Sequence, residues 1–418
     1  MKYGCIGEIL KHSFSKEIHN LISDYEYELC EVSRDTFSDF LNKRDFSAIN
    51  VTIPYKEIII PHLDFISEDA KKIGAVNTVV NRGGKLYGYN TDFYGMTMLI
   101  KHAGVDVKDK KVVILGSGGT SKTALSVATS LGAREIIRVS RSGKDGASTY
   151  GELFSYHSDT DVIINTTPVG TFPNIFDTPV DLSRFAKLSG VIDVVYNPLS
   201  TPLILKAKEL GIRAEGGLYM LVAQALRASE FFTDRTYPYG TLDKIYNGIF
   251  KKKQNIVLIG MPACGKSTVG KKLSEELGKE FIDTDALVEA RLGKSIPDVF
   301  REMGENFFRD TEAEIIREVS AKNGSVISTG GGVPLRPENI AALRENGRIY
   351  FIDRPLDDLM PTSDRPLAST REAIEMRYRE RYSVYKASAD ITVDAATDVQ
   401  GVSDKIKGDF QNEKDIRS

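Results

Sequence analysis

Two glycine-rich turns carry the clearest chemistry in this chain. Residues 116–123 read GSGGTSKT and residues 260–268 read GMPACGKST. Each follows a short apolar run and opens a helical stretch. Such a corner aims backbone N–H groups and the positive end of a helix dipole at an anion, and glycine lets the backbone come close. The second turn fits G-x-x-x-x-G-K-[ST] through Gly260, Gly265, Lys266 and Ser267, followed by Thr268. In that motif the loop cradles the phosphates of a nucleoside triphosphate, the lysine reaches the β- and γ-phosphates, and the hydroxyl binds Mg²⁺. Cys264, inside the loop, reads as a tolerated small residue. The first turn fits the dinucleotide fingerprint through Gly116, Gly118 and Gly119, with Ser121 in place of the usual third glycine. At the end of the next strand an NAD site wants an acid. Here Ser140 and Arg141 stand, with Lys144 beyond. A cation beside hydroxyls suits a 2′-phosphate, which predicts NADP(H).

Polar residues also fall in segments otherwise built for burial. The first part offers Ser13, Ser15, Asn50, Thr52, Lys56, Asn77 and Asp92. Taken singly these read as helix caps, turn residues and surface charges. Beyond the second turn stand Asp283, Asp285, Arg309, the run Gly330, Gly331 and Gly332, then Arg365 and Arg381. Arginine is the side chain for a planar carboxylate, although each alone also reads as a solvated charge.

In combination and order these stretches resemble two known families. HSFS, NVTIPYKE, GAVNT, GYNTD, GSGGTSKT, INTTPVG, DVVYNPLSTPL and GGLYMLVAQA resemble shikimate dehydrogenase, from residue 1 to about residue 232. That resemblance implies a two-lobed enzyme that uses NADP(H) to reduce 3-dehydroshikimate. Ser13, Ser15, Thr52, Asn77, Asp92, Tyr196 and Gln224 match the family's substrate contacts, and Lys56 and Asp92 its catalytic pair. An ammonium beside a ketone oxygen stabilises the charge that develops on hydride transfer and can supply the proton. The family's strand end often reads Asn-Arg-Thr; here it is Ser140-Arg141-Ser142, with the arginine kept.

Residues 255–393 resemble shikimate kinase through GMPACGKST, FIDTD, GENFFRDTE, STGGG, SDRPL and RYSVY. By that resemblance Ser267 and Asp283 serve Mg²⁺, and Asp285 binds the ring hydroxyls and accepts a proton. Arg309 and Arg381 clamp the substrate carboxylate beside Gly330–Gly332. Arg365 comes from a lid and, with Lys266, stabilises the transferring phosphoryl group of ATP. Two departures stand out: Ala263 replaces a common glycine, and the stretch 356–366 has Asp358 near where the family often places an adenine-stacking arginine.

The elements that must position these groups follow from periodicity. KVVIL at 111–115 is a continuous β-branched run, read as a buried strand. The helix behind it carries Ala124, Ala128 and Leu131 on one face and ends near Gly132. Strands are predicted at 3–6, 48–52, 135–139, 161–164 and 191–195, and helices at 15–21 and 219–232. After the second turn, strands recur at 255–259, 280–282, 325–328, 348–352 and 390–393. This alternation predicts an α/β chain: a two-lobed dehydrogenase with an α/β catalytic lobe and a Rossmann NADP lobe, then a P-loop kinase domain with a parallel sheet. The expected boundaries are a catalytic lobe at 1–95 completed by 216–247, the NADP lobe at 96–215 and the kinase at 255–410. Residues 411–418 form a polar tail. A linker is expected within 233–254, at 248–254 by the domain division, with its Lys251–Lys253 run solvated.

Composition agrees. At roughly 150 residues per domain, 418 residues make about 2.8 compact units. Lys+Arg is 55 against Asp+Glu 58, net −3, so no global basic field attracts nucleic acid. Three scattered cysteines form no disulfide framework. No run approaches a membrane span, and MKYGCIGEIL lacks an apolar signal core. The expectation is a cytoplasmic enzyme with small-molecule substrates, no nucleic-acid partner and no membrane, and the sequence carries no sign of its oligomeric state. A quinate-type dehydrogenase fused to another small-molecule kinase, and a scaffold with a dead module, are the competing readings. Ser13 with Ser15 argues against the first; the retained Lys56, Asp92, Lys266, Ser267, Asp283 and Asp285 argue against the second.

Overall fold

The structure is a computed structural model and describes residues 1–10, 14–144, 146–360 and 370–412. Ser13 and Arg365 lie outside the described residues. The chain divides into two compact units, Met1–Ile249 and Phe250–Ser418. No helix among the described residues is long and apolar enough to cross a membrane.

The first unit holds two sheets. The N-terminal one contains β1 (Tyr3–Gly7), β2 (Tyr27–Glu31), β3 (Ala48–Val51), β4 (Phe65–Ile66), β5 (Thr78–Arg82) and β6 (Lys85–Tyr89), in the order β2-β1-β3-β5-β6-β4. β1 pairs parallel with β2 and β3, whereas β5 runs antiparallel to β3 and β6. β5 and β6 form a hairpin because Gly83 and Gly84 take positive φ at its tip. The second sheet holds β7 (Lys111–Leu115), β8 (Glu135–Val139), β9 (Val162–Asn165), β10 (Gly190–Asp193) and β11 (Arg213–Glu215). It is wholly parallel, in the order β11-β10-β9-β7-β8. The order of strand addition reverses between β7 and β9, and ligands of such sheets bind outside the carboxyl ends at that switch point. The Gly116 turn stands there. All five residues of β7 are buried, as a strand covered on both faces requires. The helix behind it, Gly119–Ser130, ends at Leu131 with Gly132 left-handed at φ 80°.

The second unit holds β12 (Asn255–Ile259), β13 (Glu280–Asp283), β14 (Ser325–Ser328), β15 (Gly347–Asp353) and β16 (Ile391–Asp394). This sheet is also parallel, in the order β13-β14-β12-β15-β16. Its central strand β12 is fully buried and delivers the Gly260 loop.

The segment expected as a linker is different. Thr241–Lys253 is a helix. Leu242, Ile245, Tyr246 and Ile249 repeat at helical spacing and are buried, a stripe that the flanking glycines and lysines obscured. The Tyr219 and Tyr246 rings meet edge-on at 5.1 Å, and Tyr219 OH donates to Asp243 at 2.6 Å. The lysine run is the end of this helix rather than coil. Lys279 Nζ donates to the carbonyls of Lys251, Lys252 and Gln254, a cation where helix carbonyls lack partners.

One carboxyl in the second unit makes stability depend on pH. Glu345, on the helix Pro337–Asn346, is buried, its Oε2 without a hydrogen-bond partner among the described residues, and burial pushes its pKa up to about 9. Between the unfolded value of 4.5 and about 9 the folded chain holds a proton that the unfolded chain releases. Stability therefore falls as pH rises through that window. Glu345→Gln should make the second unit more resistant to urea at pH 8, with the advantage shrinking towards pH 5. An equal effect at both pH values would contradict this.

Candidate functional site

In the first unit three distant segments converge. Lys56 comes from the short helix Tyr55–Ile58 after β3, and Asp92 heads the helix Asp92–His102 after β6. Asn90 Oδ1 accepts from the N–H groups of Asp92 and Phe93, so the helix start is capped from upstream. Lys56 Nζ donates to Asp92 Oδ2 at 2.6 Å, and Asn77 Nδ2 donates to Asp92 Oδ1 at 2.9 Å. The Asn77 amide is oriented by Thr91 N–H, which donates to its Oδ1 at 2.8 Å. Its Nδ2 also reaches Gln224 Oε1 at 3.4 Å. Gln224 belongs to the helix Leu218–Thr233, which packs closely against the Asp92 helix. Gly95 permits this, because a Cβ there would come within 2.8 Å of Met220 O.

These residues line a pocket of about 350 Å³ whose walls include Ser15, Thr52, Lys56, Asn77, Tyr196 and Gln224. Six of the expected contacts thus share one cavity, and Asp92 bonds two of them. Sequence reasoning missed His19 in its wall and gave Asn50 no role. His19 stacks on Tyr27 with ring centres 3.9 Å apart, and burial lowers its pKa to about 3. It is a neutral wall rather than an acid. Tyr27 OH donates to Asn50 Oδ1, and Asn50 Nδ2 donates to Thr78 Oγ1. No spacing signal marks His19, because its role comes from rings on β2.

At the carboxyl end of β7, Gly116 has φ 116°, and a Cβ there would meet Thr166 Oγ1 at 2.6 Å. Among the described residues nothing lies within 4 Å of where a Cβ on Gly118 or Gly119 would point. The helix Gly119–Ser130 has no side-chain cap among the described residues, which leaves its first N–H groups towards that open space. Ser121 is buried in the third-glycine position, its Oγ without a hydrogen-bond partner among the described residues. After β8, Ser140 Oγ accepts from Gly143 N–H at 3.1 Å and shapes a turn on which Arg141 is exposed. Open glycines, an uncapped helix start and an exposed cation fit a dinucleotide carrying an extra phosphate.

In the second unit, Gly260 has φ 150°, and a Cβ there would strike Ile352 O at 2.8 Å. Gly265, at φ 98°, starts the helix Lys266–Leu277, with no side-chain cap among the described residues. Lys266 Nζ donates to Gly260 O at 3.0 Å and Met261 O at 2.9 Å, which holds it inside the loop. Ser267 Oγ donates to Asp283 Oδ2 at 2.6 Å. Asp283 Oδ1 accepts from the N–H groups of Asp285 and Ala286 and caps the helix Thr284–Leu292. Two hard oxygen donors side by side at a phosphate loop fit Mg²⁺, which takes one or two protein oxygens plus phosphate.

The far wall is built around Arg309. Its Nη1 donates to Glu312 Oε2 at 2.8 Å. Gly332 makes room: a Cβ there would lie 1.9 Å from Arg309 Nη1. Gly330 does the same for Asp285 Oδ1 and Glu312 Oε1, at 2.5 and 2.7 Å. Tyr385 OH and Arg381 Nη1 both donate to Gly331 O. The pocket, about 470 Å³ and open on one side, is lined by residues including Gly265, Lys266, Ser267, Asp285, Arg309 and Arg381. Thr268, Asp283, Gly331 and Gly332 also face it. Glu312 was missed by sequence reasoning. Its spacing of three from Arg309 on a helix was the available signal.

Ala263 takes φ 64°, a left-handed conformation that costs alanine about 1 kcal/mol or more. Ala263→Gly removes that strain and adds some unfolded-chain entropy. The expected net gain is about 0.5 kcal/mol, seen as a rise of about 1–2 °C in the melting of the second unit. A fall in melting temperature would contradict this.

Comparison with known proteins gives two family matches: a shikimate dehydrogenase substrate binding domain over residues 5–79, and shikimate kinase over residues 262–410. Over 249 residues the chain is 37% identical to the shikimate dehydrogenase (NADP(+)) of Clostridium beijerinckii, covering 56% of this chain and 92% of that relative. Among solved structures it is similar to a chorismate mutase/shikimate 5-dehydrogenase fusion protein from Clostridium acetobutylicum, at 36% identity and TM-score 0.57, covering 60% of this chain and 97% of that one. It is also similar to the shikimate 5-dehydrogenase of Thermus thermophilus in complex with NADP(H) and shikimate, at 25% identity and TM-score 0.54, covering 59% of this chain and 99% of that one.

Proposed function

The chain belongs to the shikimate dehydrogenase family and carries a shikimate kinase domain behind it, and from that premise we propose that one polypeptide reduces 3-dehydroshikimate to shikimate and then phosphorylates shikimate at its 3-hydroxyl. The observation that carries this reading is the coexistence of two constellations: Lys56–Asp92–Asn77–Gln224 in one unit, and Ser267–Asp283 with Asp285, Arg309 and Arg381 in the other.

In the proposed division, residues 1–95 with 216–247 form the catalytic lobe, 96–215 the NADP lobe and 255–410 the kinase. NADPH, when bound, supplies the hydride. The chain's own part is to hold the ketone oxygen against the Lys56 ammonium, which neutralises developing charge and gives the oxygen its proton. Asp92 keeps Lys56 aimed and accepts from a ring hydroxyl. Asn77, Gln224, Ser15, Thr52 and Tyr196 bond the remaining hydroxyls and carboxylate, so an analogue lacking one of these leaves buried partners unpaired. Arg141 and Ser140 meet the 2′-phosphate, and Gly116, Gly118 and Gly119 admit the pyrophosphate.

In the kinase, the loop from Gly260 to Thr268 cradles the ATP phosphates. Mg²⁺ on Ser267 and Asp283 would neutralise phosphate charge. Asp285 accepts the proton of the attacking 3-hydroxyl, while Arg309 and Arg381 hold the carboxylate. Lys266, and Arg365 from beyond the described residues, stabilise charge on the transferring group.

The test is a pair of assays on one preparation: NADPH oxidation that requires 3-dehydroshikimate, and ADP formation that requires shikimate. Absence of either in a folded chain overturns the corresponding half. A quinate and NAD panel run alongside tests the choice of substrate and cofactor. Gly332→Ala gives a sharper check, since a Cβ 1.9 Å from Arg309 Nη1 must displace that guanidinium. Losing one charge-assisted carboxylate contact should raise the shikimate KM of the kinase about tenfold or more. The reductase in the same chain should be untouched.

A further inference from the structure

The guanidinium assigned to the substrate carboxylate already holds a carboxylate on its best edge. Arg309 Nε and Nη2 donate to Glu305 Oε1 at 3.3 and 3.2 Å. Those two nitrogens form the side of the fork that takes a carboxylate bidentately. Glu312 occupies Nη1 separately and cannot yield, because its side chain is only 1% exposed. Glu305 differs: its side chain is 52% exposed. It also follows Gly304, whose φ 84° and ψ 164° break the helix Ile296–Ser320 at that point. A carboxylate beside such a break can swing without unwinding a continuous helix.

A second cation belongs to the helix that carries Arg381. Arg377 lies one turn before Arg381 on the helix Arg371–Ser388, hence on the same face. Its Nη1 donates to Ala373 O, and its Nε is buried with no hydrogen-bond partner among the described residues. It feels the positive charges of Arg381 and Arg309 and the negative charges of Glu380 and Glu305. Arg309, Arg377 and Arg381 thus stand close enough to act on one another, and the half-exposed Glu305 carboxylate lies in the field of both Arg309 and Arg377.

We propose that Glu305 stands in for the substrate carboxylate on Arg309, and that Arg377 receives Glu305 when a substrate carboxylate takes its place. Both are positioning residues, since they act on the substrate through Arg309. The exchange selects for acids: a ring without a carboxylate cannot compete with Glu305 for the bidentate edge. It rests on the kinase reading above, in which Arg309 binds the acceptor's carboxylate.

The test is a double-mutant cycle on the full chain, read as the shikimate KM and kcat of ADP formation. Glu305→Gln removes the competing charge and should lower KM about three- to tenfold, with the effect on KM rather than kcat. Arg377→Met leaves Glu305 without a second partner and should raise KM by a similar factor, and Arg377→Lys should restore it in part. In the double variant the Arg377→Met effect should vanish, because no carboxylate is left to receive. Reductase activity of each variant, measured in the same preparation, reports that the chain is folded. An unchanged or raised KM in Glu305→Gln, or additive effects in the double variant, overturns this proposal alone. A wild-type chain that forms no ADP in response to shikimate overturns the kinase reading and the proposal with it.

Discussion

Replacing Lys56 by alanine is expected to lower the kcat for NADPH-dependent reduction of 3-dehydroshikimate about 10³-fold, while shikimate phosphorylation by the same chain keeps its wild-type rate. Lys56 is the ammonium of the first pocket held at 2.6 Å on a buried carboxylate. A general acid of this kind is worth about 10²–10⁴ in rate. The loss should fall on kcat, because Ser15, Thr52, Asn77 and Gln224 still bind the ring. Alanine also strips Asp92 of its cation, and breaking a buried pair costs about 3 kcal/mol. Instability is separable from chemistry in two ways. Lys56→Gln keeps a donor near Asp92 but has no proton to give, so it should be nearly as inactive with better stability. NADPH binding, followed by its fluorescence, should survive in both variants. Recovery of substantial reductase activity in Lys56→Gln would overturn the assigned role.

What could be read ahead of the structure divides along a physical line. β7, β12 and β14 were legible to the residue, because a strand buried on both faces needs a continuous apolar run, and the half-exposed edge strand β8 was legible from its β-branched residues. The two phosphate loops were legible because anion binding demands glycine at fixed offsets. The helix Thr241–Lys253 was not. Its stripe is real, but Gly248 and three lysines weaken its local helix signal, and burial of Tyr246 near Tyr219 decides the matter. Nor could spacing reveal why Gly330 and Gly332 must be glycine. Their reason is the room taken by Asp285, Glu312 and Arg309, residues that arrive from other elements. His19 escaped for the same cause: its environment is made by Tyr25, Tyr27 and Phe232, two of which sit on or beside β2 and one on a helix more than 200 positions away. Local rules mark the loops proposed to hold phosphate. Tertiary contacts name those that hold them.

Asp285→Asn should produce the mirror image of the Lys56 result, lowering the kcat of shikimate phosphorylation about 10²–10³-fold with reduction of 3-dehydroshikimate unchanged. Among the carboxylates of the second pocket, Asp283 is committed to Ser267 and to the helix start. Glu312 is committed to Arg309, and burial pushes its pKa up. Glu289 accepts from Ile296 N–H. Asp285, in the space Gly330 leaves, is the carboxylate we propose for the acceptor side. Asparagine keeps its size and an oxygen for the ring hydroxyls, yet cannot take their proton. The KM for ATP should therefore stay constant, because the phosphate loop is unaltered. The two variants together decide more than either alone. Mixed in one vessel with NADPH and ATP, Lys56→Ala and Asp285→Asn chains each supply the activity the other lacks. If shikimate leaves one site and diffuses to the next, the mixture should convert 3-dehydroshikimate to shikimate 3-phosphate with the lag of two free enzymes. Fusion helps only where geometry permits direct passage. A wild-type chain with the same lag as the mixture means free diffusion, and a shorter lag means that joining the two enzymes has kinetic value. If either substitution abolished both activities in a folded chain, the division into two separate catalytic modules would fall.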